Sequence, residues 1–424
     1  MHGLEEIKDL IIPALIARLA AESLGPLLNL LHKYTGQPEL ILETLAQASR
    51  LRTSIKNAIE EMKIQQGKNP ADGRSWQHRI TRTFQRIHIK EVEEAVNQAL
   101  TKQAEIAKSY GLLGNILIVD QKEKPAWHRV HTEGIVSINP RKKPYHKGHR
   151  FYTAIIAGKV SVISMYTPDL NGIDKGFVVR KALIGAKRLT KVKRVLVDAG
   201  FFGKSVYGAI SLEGSDVLGA VPKNSRVIRL IMLHHRALSH HYEPGIYLYR
   251  LGDTEFHLLL VPRPKEKRKI SSDHNVRRIA KNYISLAVFE VLDGIPDGFR
   301  TRGSRGLAGI FRQWAFESAE NYRKRGLIEV LLRLKSLIEA RVGAHYASLR
   351  FFVFGLGLVL VNIYSLFDGI MRYVLFLSHG LSVRLVVVFV VRWLEKIAVL
   401  SFYSCVGLHF SAVSSKPPPA LACL

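Results

Sequence analysis

The stretch VLVDAGFFGKS, residues 195–205, decides the fold. Val195, Leu196 and Val197 read as a short buried strand. Asp198 follows, then a glycine-containing turn and Gly203-Lys204-Ser205. The Gly-Lys-Ser tail invites a phosphate-binding loop. Such a loop needs a glycine five residues before its Gly-Lys pair, so that successive backbone N–H groups curl around phosphates. Asp198 holds that position, and its carboxylate would repel a phosphate. What remains is an acidic side chain at the C-terminal end of a buried strand, where open α/β sheets place their chemistry. For this residue alone, an Asp that caps the following turn is the plainer reading.

The flanking sequence alternates strand and helix patterns. NILIVD (115–120) is a short apolar run ending in Asp120. RFYTAIIA (150–157), Gly158-Lys159 and VSVISMY (160–166) read as a hairpin. Residues 175–189 read as helix, 194–198 as strand, 204–212 as helix and 216–222 as strand. The series is β-β-β-α-β-α-β, and its first and fourth strands both end in Asp. Residues 223–315 are mixed, with strand-like pieces at 245–250, 255–261 and 283–291. Residues 1–110 read as helical, with a polar break near 65–75.

A helix is predicted from Glu317 through ESAENYRKRGLIEVLLRLKSLIEARVG. On it Tyr322, Arg325 and Glu329 fall at i, i+3 and i+7 and share one face, which Arg333 and Ser336 extend. Leu327, Leu331 and Leu334 lie on another face, available to pack on the sheet. The plainer reading of the stripe is an i,i+4 ion pair between Glu329 and Arg325 or Arg333.

Lys plus Arg is 62 against 35 acidic residues, a net charge of +27 in 424 residues. Such an excess calls for a polyanionic partner, nucleic acid before an anionic membrane. Basic residues cluster at 141–150, 263–281 and 322–335, which fits a long binding track. Cys405 and Cys423 are the two cysteines, so neither a disulfide framework nor a CxxC metal site is available, and the chain reads as intracellular. The first residues lack a cationic start to their apolar stretch and do not read as a secretory signal. Residues 351–367 form 17 residues without a charge, and 385–391 are a second apolar run. A membrane span needs about 20 apolar residues. Asn362, Ser365 and the closing Arg350 and Asp368 favour a buried helix for the first run.

Strand-terminal Asp120 and Asp198 with a downstream helical Glu329 form the pattern of a ribonuclease-H-like fold, in which the two Asp residues lie side by side. Like charges so close need a cation between them. Here the sequence resembles the DDE transposases of prokaryotic insertion sequences, in particular the type with a Tyr-x2-Arg-x3-Glu signature common in archaea. The resemblance rests on Asp120 in ILIVDQKEKPAW, Asp198 in VLVDAGFF, and Tyr322, Arg325 and Glu329 in YRKRGLIE, and it runs over residues 115–362. Seven residues after Glu329 the family often carries Lys; here that residue is Ser336, with Lys335 one position short.

The resemblance implies an α/β, ribonuclease-H-like mixed sheet with a helical N-terminal region and a β-rich insertion before the catalytic Glu helix. It implies Mg²⁺, with Mn²⁺ as a substitute, held by Asp120, Asp198 and Glu329 as the catalytic residues. It also implies cutting at inverted-repeat ends and strand transfer to target DNA, with Tyr322, Arg323, Lys324, Arg325, Arg333 and Lys335 on the DNA. The expected organisation is 1–110, helical, for DNA ends or dimerisation; 111–222, first catalytic part; 223–315, insertion; 316–378, Glu helix and buried helix; and 379–424, an atypical apolar tail. The expected assembly is a homo-oligomer on DNA, in the cytoplasm at the nucleoid, without a small-molecule cofactor. The alternatives are an inactive DNA-binding transposase remnant and a basic membrane-associated protein.

Two further features are legible. LHHRALSHH gathers His234, His235, His240 and His241 near Glu243, which could hold zinc or form a DNA-facing loop. Trp127 and Tyr145, among basic residues, could stack on unpaired bases or pack on protein.

Overall fold

A computed structural model of the chain describes residues 2–66, 73–125, 133–138, 147–170, 172–268, 276–291, 293–296, 298–299, 306–342, 346–376 and 381–405. Its strands are β1 (Ile116–Pro125), β2 (Val136–Ser137), β3 (Lys147–Ala157), β4 (Ser161–Asp169), β5 (Arg194–Val197), β6 (Asp216–Ala220), β7 (Gly245–Leu251), β8 (Thr254–Pro262) and β9 (Tyr283–Val288). The helices before the sheet are α1 (His2–His32), α2 (Pro38–Leu51), α3 (Ile55–Gln66), α4 (Gly73–Arg86) and α5 (Ile89–Ser109). Those within it are α6 (Lys175–Leu189), α7 (Lys204–Leu212), α8 (Ser225–Ala237) and α9 (Val276–Lys281). After it come α10 (Gly306–Arg323), α11 (Gly326–Ser336), α12 (Ala347–Gly369) and α13 (Val383–Cys405).

One mixed sheet runs in the order β2-β3-β1-β5-β6-β9-β8-β7, with β4 paired to the long strand β3. β1 is antiparallel to β3 and parallel to β5, and β5 is parallel to β6. The α6 and α7 crossovers supply the parallel connections. Leu117, Ile118, Val119, Val195, Leu196 and Val197 are fully buried. These runs are continuously apolar because both faces of the central strands are covered. The expected strand and helix series is present. The two-residue β2 makes the strand before Asp198 the fifth rather than the fourth.

The segment expected as a mixed, β-rich insertion contributes three strands that extend the sheet. β9 pairs antiparallel with β6 and carries β8 and β7 beyond it. One expectation changes: the predicted single helix from Glu317 is two helices, α10 and α11. Lys324 and Arg325 sit in a turn where their N–H groups donate to Asn321 and Tyr322, three residues back. Three consecutive cations complement the C-terminal dipole of α10, and Gly326, a poor helix former, begins the next helix.

Both chain ends build the helical layer. α12 packs on α5, α1, α11 and β4, and α13 packs on α2 and α1. Val386, Val387, Val390 and Leu394 of α13 are fully buried. The tail expected to be atypical therefore closes the core as far as α13, and residues 406–424 lie outside the described residues. Two helical stretches, Ile12–His32 and Ala347–Val374, are long and apolar enough to cross a membrane. The second is 89% buried, as a core helix is. It approaches α5 closely: a Cβ on Gly355 would meet Val96 Cγ2 at 2.4 Å.

Two side-chain amides, one buried and one half-buried, seal the edge of the sheet. Asn362 of α12 accepts from the Ile163 N–H at 2.9 Å and donates to the Ile163 carbonyl at 2.8 Å. Asn97 of α5 does the same for Tyr166, at 2.8 and 2.7 Å. Each side chain thus imitates a neighbouring strand for β4, whose outer backbone groups would otherwise be buried without partners.

Candidate active site

Val119 and Val197 pair in the parallel register of β1 and β5, so Asp120 and Asp198 take the next rung together. β1 continues past this point, paired with β3 through Pro125, while β5 ends. Asp198 Oδ1 accepts from the Gly200 N–H at 2.8 Å and caps a one-turn 3₁₀ helix, Ala199–Phe201. The capping reading of this Asp is therefore present in the structure alongside its position beside Asp120.

Glu329 comes in from the first turn of α11. Arg325 lies between the carboxylates, with Nη1 3.7 Å from Asp120 Oδ1 and Nη2 donating to Glu329 Oε1 at 2.8 Å. The i,i+4 pair anticipated as the plainer alternative is thus formed. Burial pushes the Asp120 carboxyl up to about 6; Asp198 and Glu329 push in the same direction, and the Gln121 N–H and Arg325 oppose them. Burial also raises the Tyr322 hydroxyl, to about 12, with Arg325 opposing and Asp198 and Asp120 adding to the rise. Arg325 is buried enough to disfavour its charge, yet Tyr322, Asp120, Asp198 and Glu329 together raise it. These five side chains form one electrostatic unit.

The donor set is all oxygen, which suits Mg²⁺ or Mn²⁺. Asp120 is undercompensated, as a carboxylate awaiting a cation would be. Among the described residues, however, no three His, Cys, Asp or Glu side chains are gathered closely enough to hold a metal ion, and the guanidinium of Arg325 takes the central place. The chemistry of the residues fits a divalent cation.

The other predicted DNA contacts divide. Arg323, Lys324 and Arg333 are exposed, with Arg323 paired to Glu320. Lys335 is only 2% exposed, with Nζ 2.9 Å from Glu339 Oε2 and 3.3 Å from the Phe354 ring centroid. A DNA contact by Lys335 is corrected to an internal ion pair. The inward stripe of α11 is Ile328, Leu331, Leu332 and Lys335, at i, i+3, i+4 and i+7, and it excludes the expected Leu327, which is exposed. Lys124 of β1 shares the Glu339 carboxylate. Burial, then the Lys124 charge, holds the Lys335 ammonium well below its ordinary value.

Among the described residues the histidines do not gather into a metal site, and the cluster divides between the core and the surface. His234 is fully buried, with Nδ1 2.8 Å from the Tyr247 hydroxyl and Nε2 2.8 Å from the Glu243 carbonyl. Both ring nitrogens are thereby used. His235 is also buried, packed on Tyr242, while His240 and His241 are exposed. In the opening stretch, Lys204 pairs with Asp253 and Ser205 Oγ donates to Asp174 at 2.9 Å, so neither is free for a phosphate loop. Trp127 and Tyr145 lie outside the described residues.

Lys175, which the sequence reading passed over, belongs to the site. It opens α6, donates to the Gly200 carbonyl at 2.5 Å and feels Asp198. The available signal was its place directly after the helix cap Asp174, on the crossover that leads to β5.

No protein-family model matches the chain, and no curated protein matches it by sequence. Solved structures do match it. The piggyBac transposase in a synaptic complex with hairpin DNA, determined by cryo-EM, is similar to 96% of this chain over 87% of its own, with a TM-score of 0.55 and 11% sequence identity. At that identity the likeness is one of fold: this chain has a mixed α/β architecture, with a mixed parallel and antiparallel sheet, similar to that structure.

Proposed function

We propose that the chain is a DDE transposase, a metal-dependent enzyme that cleaves DNA at transposon ends and joins them to target DNA. The observation that carries this reading is the neighbouring placement of Asp120 and Asp198 on two adjacent parallel strands, with Arg325 bridging Asp120 to Glu329. Three further observations support it. The strand order β4-β3-β1-β5-β6 makes the two Asp-bearing strands neighbours, which supports a ribonuclease-H-like reading of the sheet. The similar solved structure is of a transposase with hairpin DNA. The net charge of +27 suits a polyanionic substrate.

In this reading Asp120, Asp198 and Glu329 hold Mg²⁺ or Mn²⁺, which when bound activates a water or 3′-hydroxyl and stabilises the leaving oxygen of a phosphodiester. Arg325 holds the carboxylates together in the unloaded protein and turns to a DNA phosphate as they take up cations. Arg323, Lys324 and Arg333 position the sugar-phosphate backbone without reading sequence. Tyr322, un-ionised at neutral pH, keeps a hydroxyl to donate beside the scissile phosphate. The protein acts as an oligomer on paired ends, at the nucleoid.

A second reading is favoured by the Arg325 bridge itself: a DNA-binding remnant in which the guanidinium holds the carboxylates permanently. The two are separated by one experiment. Wild-type protein and Asp198→Asn are compared for cleavage of end-containing DNA in Mg²⁺ and for binding of the same DNA in EDTA. The enzyme reading expects cleavage by wild type, loss of at least about 10³-fold in the variant, and unchanged binding. Binding by both without cleavage by either favours the remnant. Equal cleavage by both rejects the site.

A further inference from the structure

A large basic concavity is far from the carboxylates in sequence and shares no residue with them. It is a cleft of about 1190 Å³ between α4 and the turn that joins α1 to α2. One wall is Tyr34, Thr35, Gly36 and Gln37; the other is the outward face of α4, from Ser75 to Arg86. No carboxylate lines it.

The sequence of α4, GRSWQHRITRTFQR, explains the wall. Trp76, Ile80, Thr83 and Phe84 are buried and seat the helix in the core. Opposite them, His78, Arg79, Arg82 and Arg86 are exposed, and the helix carries no acidic residue. On most surfaces an exposed arginine row is interleaved with acids. Here none of Arg79, Arg82 and Arg86 forms an ion pair among the described residues. Two are instead held in place by uncharged groups. Arg79 donates to Gln37 Oε1 at 2.8 Å and lies 5.4 Å from the Trp76 ring centroid. Arg86 lies 5.8 Å from the Tyr34 ring centroid, and the Tyr34 hydroxyl is fixed by Glu91 at 2.8 Å. The arginines are positioned with their charge unneutralised, which costs free energy in the absence of an anion and lowers the ordering cost of binding one.

We propose that this cleft is a DNA-backbone site, distinct from the carboxylate centre, in which Arg79, Arg82 and Arg86 bind consecutive phosphates of one strand. The spacing agrees. Arg79 to Arg86 spans about 10 Å of helix at 1.5 Å per residue, a length of duplex that presents about three phosphates per strand. Thr35, Ser75 and Gln85 supply uncharged donors of the kind that accompany arginine on phosphates. The contacts are to the backbone, so the site adds affinity and orientation.

The inference rests on the proposed DNA function for its ligand, and its test separates the two. Binding of a labelled DNA duplex to the full chain is measured in EDTA, from about 50 to about 200 mM KCl. The proteins are wild type, R79Q/R82Q/R86Q, and the surface control K102Q/K108Q/R188Q. Loss of three phosphate contacts makes the slope of log K against log salt shallower by about 2.7 and weakens binding by roughly 10²-fold near 100 mM. The control keeps the wild-type slope, and R79K/R82K/R86K, which retains the charges, recovers most of it. All substituted residues are exposed, so thermal melting should not move.

If wild type binds and the triple Gln variant has the same slope, the cleft proposal falls while the proposed function stands. An equal drop in the control also overturns it, by making the charge loss unspecific. Absence of DNA binding by wild type overturns both. Binding to phosphatidylserine vesicles that the triple variant loses, with DNA binding intact, overturns the proposal in favour of a membrane surface.

Discussion

Asp120→Asn should make the metal-free protein more stable while destroying its proposed activity. Asp120 is pushed from its ordinary value of 3.8 to about 6, chiefly by burial, with Asp198 and Glu329 adding to it. Between those values the folded protein binds more protons than the unfolded chain. Stability therefore falls as pH rises through this window, and the loss is complete above about 6. At about 1.36 kcal/mol per pH unit, ionised Asp120 costs about 3 kcal/mol at neutral pH. That figure is already net of the opposing attraction of Arg325, 3.7 Å away, which keeps Glu329 in the variant. The amide oxygen of Asn can still accept from the Gln121 N–H. A gain of up to about 3 kcal/mol is expected from urea unfolding in EDTA at about pH 7.5, shrinking to about half near pH 5. Added Mg²⁺ should then close the gap, since only the wild type has the carboxylate to gain from it. A variant less stable than wild type in EDTA at neutral pH, or a gain that does not change with pH, would refute the electrostatic account.

Three more outcomes follow from the packing. Lys335→Met leaves Lys124 and Glu339 as a matched pair, so it should be neutral or stabilising by about 1–4 kcal/mol at pH 7. Because the Lys335 value is lowered by folding, wild-type stability rises with pH towards about 10.5, and urea titrations should show the variant losing part of that rise; a loss of several kcal/mol at pH 7 would contradict it. Leu394→Ala, in the fully buried part of α13, should cost about 2–5 kcal/mol in calorimetry or urea unfolding, whereas a passive tail would tolerate it. His234→Ala should cost about 1–3 kcal/mol, because the Tyr247 hydroxyl and Glu243 carbonyl each lose a hydrogen bond; zinc chelators should leave wild-type stability unchanged, and a chelator-induced loss would restore the metal reading.

The central sheet was legible because its signals are local. Runs such as 116–119 and 195–197 are apolar on both faces, and Asp120 and Asp198 stand out at their ends. The helix caps at Asp174 and Asn224 likewise act on the next turn of the same chain. What the sequence concealed depends on distant partners. Lys335 looks like any surface lysine until Phe354 and Glu339 close over it. Residues 245–288 read as strands, but nothing local says that β9 joins β6 and not a sheet of its own. The break between α10 and α11 was hidden because each half is a good helix by composition. The apolar run in 385–391 resembled a stray tail because its partners, α1 and α2, lie at the other end of the chain.

The Arg325 bridge and the break at Lys324 belong together. In a continuous helix, Arg325 and Glu329 would keep to one side of a rigid rod. The turn instead makes Arg325 the N-cap of α11, with Glu329 in the first turn, where the helix dipole favours a carboxylate. Arg325 can therefore turn without disturbing the α-helical hydrogen bonds of α10, and it has two places to put its charge: between Asp120 and Glu329, or on a phosphate. The first is the pairing seen in the structure; on the proposed function, the second would become favourable when cations neutralise the carboxylates and DNA offers a phosphate. If so, DNA should increase the affinity for Mn²⁺ and Mn²⁺ the affinity for DNA by the same factor, as linkage requires of any two ligands that draw on one element. Arg325→Gln removes the shared group. It should abolish that coupling while leaving each ligand able to bind alone, and titration of Mn²⁺ with and without DNA measures both quantities. Coupling that survives in the variant would mean that the bridge is a fixed structural pair and not a gate.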